Sequence, residues 1–402
     1  MVTVAEAKQM ILSAVHPLPP RILPLADALN CVLAEDVITP MSLPAWDNSA
    51  VDGYAVRCAD VESATDDNPI HLRVLETVPA GHSPSIALQP QGCVRVFTGA
   101  PIPAGADAVV MQEDTHPHHE GYVAVVESAE MGENIRRAGD DVAAGDVVLR
   151  AGGFLGPAQS GMAAAVGLDK LKVYPRPRVG ILVTGAEIIE PGRPLRGGQI
   201  HDSNSYALSG WVKHAECEPV DLGIADDTRE DLRKKLDCGL SECNAVVTVG
   251  GVSVGEYDLV KDVLAELGCE QRFWRVAMRP GKPFVFATHA EKLIFGLPGN
   301  PVSAAVTFLM LVRPALLRLR GLADVDLPVV QAEATEDFVN RGDRLHFMRA
   351  RLERHNGKWL VKPLPGQGSH VISSLANANC LVPISEEGTI RRGSTVHAIL
   401  IS

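Results

Sequence analysis

The chain has 402 residues, 46% of them hydrophobic and 21% charged. This is a globular composition with no disordered tail or low-complexity block, and at roughly 100–200 residues per domain it implies two to four domains. Forty-nine acidic residues against 37 basic ones argue against a general affinity for nucleic-acid phosphates, so any anion must be held locally. Eight cysteines, at 31, 58, 93, 217, 238, 243, 269 and 380, form no CxxC pair and have no histidines at zinc spacing; reduced structural thiols are expected.

Thr3-Val4-Ala5-Glu6 reads as a capping box opening an amphipathic helix, not as a basic, apolar leader, so a cytoplasmic location is expected. Residues 18–44 and again 138–153 alternate short β-like runs with Pro and Gly turns. The stretch between is rich in Val, Ile and turn residues, as in CVRVFTGAPIPAGADAVVM, which suggests a β-rich insertion. Between 175 and 321, apolar runs followed by helical patterns (VGILVT then SYALSGWVKHA, AVVTVG then LVKDVLAELG, KLIFGL then PVSAAVTFLMLVRPALLRLRG) carry the βαβ signature of a parallel sheet. Val260, Val263, Leu264 and Leu267 give the second helix one apolar face, and Gly268 stops it. The apolar stretch from Pro301 is expected to be too short to span a bilayer, because Arg313 and Pro314 interrupt it; no membrane partner is expected. After Asp326 the helical patterns vanish, and Phe347 to Leu352 alternate before Asn356-Gly357, a strong hairpin signal. The expected fold is therefore multidomain α/β plus β. It has a split, elongated domain (1–45 and 138–175), whose N-terminal helix is free to pack on the α/β unit. An inserted β domain (46–137), a parallel α/β domain (176–325) and a C-terminal β-barrel (326–402) complete it.

Three loops carry chemistry. Val249-Gly250-Gly251-Val252-Ser253-Val254-Gly255-Glu256-Tyr257-Asp258 lies between a buried-strand pattern and a helix. Glycines admit an anion close to the backbone, Ser253 adds a hydroxyl, and the helix N-terminus adds partial positive charge. It is neither a P-loop nor a dinucleotide fingerprint, and a plain strand-to-helix turn with Asp258 as N-cap is the alternative. Met278-Arg279-Pro280-Gly281-Lys282-Pro283 sets two cations about a Pro-Gly turn. A helix terminus supplies only about 0.3–1 kcal/mol at an exposed site, so a multiply charged ligand needs such cations or a metal. Phe295-Gly296-Leu297-Pro298-Gly299-Asn300-Pro301-Val302-Ser303 ends a strand and opens a helix, with Asn300 at the N-cap and Pro301 first in the helix. At the carboxyl ends of neighbouring strands the three would meet in one crevice.

Glu187, Asp202 and Asp258 are oxygen donors suited to a Mg²⁺ that clamps phosphate oxygens, although Asp202 serves equally as a helix N-cap. Pro44 to Ala55, PAWDNSAVDGYA, is dense in polar turn residues; a pair of Asx turns is the simplest account. His116, His118 and His119 lie beside Glu120-Gly121 in a pattern that reads as an exposed hairpin tip and are given no role.

PAWDNSAVDGYAVR, FTGAPIPAGADAVVMQED, GENIRRAGDD, GQIHDSN, GGVSVGEYD, RPGKP, GLPGNPVSA and GSHVISSLANANCL together, in this order over nearly the full length, resemble the molybdopterin molybdenumtransferase family (MoeA, gephyrin E-domain). The resemblance implies four domains with a central MogA/MoaB-like unit, and a homodimer whose site lies between subunits. It implies that adenylylated molybdopterin and molybdate are the substrates, that molybdenum is inserted at the dithiolene, and that AMP leaves with Mg²⁺ assistance; a MogA-type adenylyltransferase would be a partner. Carried onto this chain, Gly250, Gly251, Ser253 and Pro298, Asn300, Pro301 and Ser303 would hold pterin phosphate or nucleotide. Arg279 and Lys282, around Pro280 and Gly281, would neutralise anions. Glu187, Asp202 and Asp258 would bind metal or orient the attacking oxyanion. Asp52, Thr98, Arg136, Arg137, Ser369 and Ser373 would close the site from a neighbouring domain or subunit; Asp52, Thr98, Glu187, Asp258 and Lys282 form the expected catalytic set. One departure stands out: Gly185-Ala186-Glu187 replaces the family's Gly-Asp-Glu. A pterin-binding paralogue or scaffold with reduced catalysis is thus the alternative reading. A sugar-nucleotide or pyrophosphate hydrolase would explain the glycine loops but not DNSAVDGYA.

Overall fold

The computed structural model describes residues 1–251 and 259–401; Ser253 and Asp258 lie outside the described residues. The two outer segments of the N-terminal half build one unit. Lys170–Tyr174 pairs with Arg21–Pro24 on one side and Val32–Leu33 on the other, and Val147–Leu149 pairs with Val37–Ile38. Ala28, Cys31, Leu33, Leu155, Leu171 and Val173 fill its core.

Between them a six-stranded sheet spans Gly53–Val56 to Tyr122–Val125, with separate apolar clusters around Val56 and Val110 and around Val78 and Val94. Where the chain enters and leaves this sheet, Asn48–Ser49 pairs antiparallel with Ile135–Arg136. Asp47 fastens the crossing, accepting from Arg137 Nη1 at 2.7 Å and from the Ala138 amide at 2.9 Å.

The central sheet runs in the order Glu218–Ala225, Arg178–Thr184, Ala245–Val249, Lys292–Leu297, Val285–His289, Glu270–Trp274. The first four strands pair in parallel and the last two join through antiparallel pairings, so that Val285–His289 alone runs against the rest and the sheet is mixed where a parallel one was expected. The cause is local. Ala290, at φ 50°, and Glu291 form a two-residue turn between Val285–His289 and Lys292–Leu297, and such a turn can join only antiparallel strands. One face is covered by Asn204–His214, by the helical run Pro301–Leu319 and by the N-terminal helix Val4–Ser13, whose Ala7 and Ile11 join the same core. Arg229–Glu242 and Leu259–Glu266 cover the other through Leu232, Leu236, Val260, Val263 and Leu264.

The run Pro301–Leu319 is not broken at Arg313-Pro314 as its sequence suggested. It passes through a wide turn, Phe308–Val312, in π geometry. Proline lacks an amide and crowds the carbonyl four residues back, and a π-bulge is a common way for a helix to absorb such an irregularity. The run is long and apolar enough to cross a membrane by composition, but 83% of its most apolar window is buried inside the fold.

The C-terminal strands close on themselves. Leu345–His355, Lys358–Pro363, Val329–Ala334, Thr395–Leu400 and Cys380–Ile384 pair in that order, and the last returns to the first. Closure removes the free edges of the sheet. Asn356 and Gly357, at φ 47° and 82°, make the hairpin turn that Asn-Gly favours. A short strand, Met278–Arg279, pairs parallel with Leu345 and His346 and so ties the RPGKP loop of the central unit to the barrel.

Candidate active-site crevice

A crevice of about 790 Å³ opens at the carboxyl ends of the parallel strands, where open α/β sheets bind ligands. Two glycine loops meet in it. Gly250 (φ 91°) crosses so close to the neighbouring strand that a Cβ there would lie 2.7 Å from the Thr184 carbonyl oxygen. Gly251 (φ 62°) would press on Val260 at the same distance, and a Cβ on Gly299 would stand 3.8 Å from the Gly250 Cα. Glycine is required here for both the positive φ and the close approach.

Carboxylates surround the loops. Asp202, only 7% exposed, accepts from the Asn204 and Ser205 amides at 2.9 and 3.1 Å and is also bonded to the Ser205 hydroxyl. The N-cap of Asn204–His214 is Ser203, which makes no capping bond of its own; Asp202, one residue earlier, satisfies the first two helical amides instead of sitting at the N-cap its sequence context allowed. Glu187 lies on the crevice wall, its carboxylate against Gly185. Asp227, which sequence reasoning overlooked, also lines the crevice, and its Oδ2 accepts from the Ala186 amide at 3.1 Å. A carboxylate thus stands beside the very position where Ala186 lacks one. Asn204, 7% exposed, donates to the Gly299 carbonyl at 2.8 Å and clips the two loop systems together.

The helix that opens at Pro301 offers fewer donors than its sequence implied. Asn300 occupies the N-cap without a side-chain capping bond, Pro301 has no amide hydrogen, and the Val302 amide donates to the Ser369 carbonyl at 3.2 Å. That last contact draws the barrel loop over the crevice, so that His370 and Ile372 line it as well. Pro298 and Ser303 are buried and do not line it.

The same architecture recurs in solved structures. MoeA proteins from Pyrococcus horikoshii superpose over 100% of this chain and 99–100% of their own, with TM-scores of 0.84 and 0.80 at 31% and 32% identity. Three family models match in series: the MoeA N-terminal region (domain I and II) at residues 2–167, the probable molybdopterin binding domain at 180–318 and the MoeA C-terminal region (domain IV) at 331–401. Molybdopterin molybdenumtransferase of Haemophilus influenzae is 38% identical, with 98% of each chain covered. Molybdopterin molybdenumtransferase 2 of Mycobacterium tuberculosis is 40% identical, with 96% of each covered. The chain belongs to the MoeA family.

Several residues expected to act in this MoeA-family chain lie outside the crevice lining. Gly281 packs so tightly that a Cβ would meet Thr307 Cγ2 at 2.4 Å, which anchors the RPGKP loop to the flank of the Pro301 helix. Pro280 is buried, while Arg279 and Lys282 project from the loop, exposed. Asp52 Oδ1 accepts from the Thr98 amide and hydroxyl at 2.7 and 2.8 Å, bonds that hold its carboxyl below the usual range; the pair lies in the inserted sheet region. Arg136 is exposed and Arg137 pairs with Asp47. Ser373 lines a separate cavity of about 470 Å³ with Arg351 and Lys362.

Sequence reasoning also missed Arg349. It is fully buried, and donates from Nε to Ser374 Oγ at 2.9 Å and from Nη2 to the Gly366 and Gly368 carbonyls at 2.8 and 3.2 Å. Nη1 has no partner. Arg349 thereby holds the barrel loop that carries Ser369 and His370. The only signal in the text was a cation inside the alternating run Phe347-Met348-Arg349-Ala350.

Proposed function

We propose that this chain, like the molybdopterin molybdenumtransferases it resembles, takes adenylylated molybdopterin and molybdate, inserts molybdenum at the dithiolene and releases AMP. The observation that carries this reading is the meeting of Gly250-Gly251 with Gly299-Asn300 beside Glu187 and Asp227. Backbone free of side chains lets a phosphate approach, and the Asn300 carboxamide, free of a capping bond, points a polar group at the same opening. Two carboxylates on the wall orient the oxygen that attacks the phosphoanhydride and keep it from dispersing into bulk water. His370, at the barrel side of the crevice, brings an imidazole to the same opening.

Among the described residues, no three acidic or histidine side chains stand close enough to cage a metal. That suits Mg²⁺, which keeps several waters and needs one or two carboxylates plus substrate phosphates. Glu187 and Asp227, both on the crevice wall, would supply them, with Asp258 outside the described residues and Asp202 engaged by the Asn204 and Ser205 amides. When bound, the ion would neutralise charge on the phosphate oxygens. Molybdate, a dianion, is drawn to the exposed Arg279 and Lys282 of the RPGKP loop.

A homodimer completes the site in this reading. Support comes from Asp52, Thr98, Arg136 and Arg137, which are not among the residues that line their own crevice, and from exposed Ile22, Ile38, Trp46 and Phe154 on or beside the split unit. The enzyme works in the cytoplasm and receives its adenylylated substrate from a MogA-type adenylyltransferase. The scaffold alternative draws on Ala186 alone, and the Asp227 carboxylate beside it weighs in favour of catalysis. Incubation with adenylylated molybdopterin, molybdate and Mg²⁺ should release AMP in step with formation of active cofactor; tight binding without AMP release would favour the scaffold.

A further inference from the structure

His346 is 3% exposed, and neither of its ring nitrogens has a hydrogen-bond partner among the described residues. Buried polar atoms are nearly always paired, and leaving one idle is costly. Among the described residues, the charged groups that act on the ring are cations. Arg279 is its register partner on the adjoining Met278–Arg279 strand. Arg344 and Arg349 act on it from its own segment. On the other side, Cys380–Ile384 presents Ile384 opposite it. Burial first, and then these three guanidinium groups, push its pKa down to about 4. Arg349 Nη1 is a second buried atom without a partner, and burial together with Arg279 lowers the Arg349 pKa to about 10. A neutral imidazole with two idle nitrogens, enclosed by cations, is complete only when negative charge arrives.

We propose that an inorganic oxoanion held by Arg279 is bound together with one proton, which His346 carries. Arg279 is the exposed member of the group, its guanidinium lying against Gly342, and its movement admits the anion to the otherwise sealed ring. The balance is simple: one proton passes from solvent to imidazole, the imidazolium N–H donates to an anion oxygen, and no covalent bond to a heavy atom changes. The inference rests on the reading that molybdate docks at the RPGKP loop. It adds that affinity rises as pH falls, by up to about tenfold per unit where one proton is linked to binding.

Calorimetry of the full chain with dilute molybdate at about pH 5, between the free and bound titrations of the ring, in two buffers of different ionisation enthalpy, reads the proton directly. Uptake approaching one proton per bound anion is expected in the native protein and is lost in His346→Gln. Ring shifts of isotope-labelled histidine in the native protein provide the check that needs no variant: with saturating molybdate the His346 titration should move from about 4 to about 6 or above. Molybdate binding with an unmoved His346 titration, or with equal uptake in His346→Gln, overturns this inference and leaves the substrate reading standing. Absence of molybdate binding in the native protein overturns both.

Discussion

Gly250→Ala and Gly192→Ala make a matched pair. The two glycines have nearly the same backbone angle, φ 91° and 89°, but a Cβ on Gly192 would meet nothing within 4 Å, whereas on Gly250 it would lie 2.7 Å from the Thr184 carbonyl oxygen and 2.8 Å from its hydroxyl. Both substitutions carry the strain of an L-residue at positive φ, about 1–3 kcal/mol. Only Gly250→Ala adds overpacking against backbone that cannot yield, about 1–3 kcal/mol more. Gly192→Ala should therefore lower the unfolding free energy by about 1–3 kcal/mol and leave AMP release unchanged. Gly250→Ala should lose about 2–6 kcal/mol and, in the folded fraction, most of its affinity for the nucleotide substrate, because the strand end must move away from Thr184. Denaturant titration and substrate calorimetry on both variants give the comparison. Equal stability and equal affinity in the two would refute the close crossing from which the crevice is built.

Asp227→Asn should cut AMP release by at least about tenfold, the usual scale for removing a positioned catalytic group, with stability nearly unchanged because the side chain is exposed. Ala186→Asp, which restores the family carboxylate, should give little gain, since Asp227 already stands there; a large gain in turnover would show that it does not substitute. Arg349→Met should lower stability by about 2–4 kcal/mol, as the Gly366, Gly368 and Ser374 acceptors lose their buried donor, and should raise KM by releasing the loop that carries Ser369 and His370; an unchanged KM would separate that loop from the site. Acid stability should fall in two windows. His346 is a base kept neutral by burial, so between its ordinary value of 6.5 and about 4 the unfolded chain takes up the proton that the folded one refuses, and stability declines as pH drops. Asp47 and Asp337 are held below the ordinary 3.8, foremost by the Ala138 and Arg392 amides, so their contribution is present above that pH and is lost as pH falls through their folded values. Melting curves of the native protein and of His346→Gln from pH 3 to 7 should differ in slope only in the upper window and run parallel below it.

What the text disclosed was what is local or periodic. The capping box at Thr3 and Glu6 forms as written, the 3.6-residue spacing of Val260, Val263 and Leu264 buries one face, and Asn356-Gly357 turns its hairpin. The family resemblance came from loops whose order is itself legible. What the text hid depends on contacts between distant segments. Val285–His289 reads like any buried strand, and its antiparallel direction is decided by a turn at Ala290 that carries no Gly or Asn. The proline at 314 signals a break, but tertiary burial of the apolar run outweighs it and the helix widens instead. Asp227 looks like any surface carboxylate until the Ala186 amide is brought to it from a different strand, 41 positions away. Arg349 breaks the rule that strand interiors exclude cations, and only the carbonyls of the loop it holds explain why it is tolerated.

A crystal soaked with adenylylated molybdopterin tests the central claim most directly. Phosphate density should appear between Gly250-Gly251 and Asn300, within reach of Glu187 and Asp227. Density seated instead in the cavity beside Ser373 and Lys362, with the glycine crevice empty, would contradict the account.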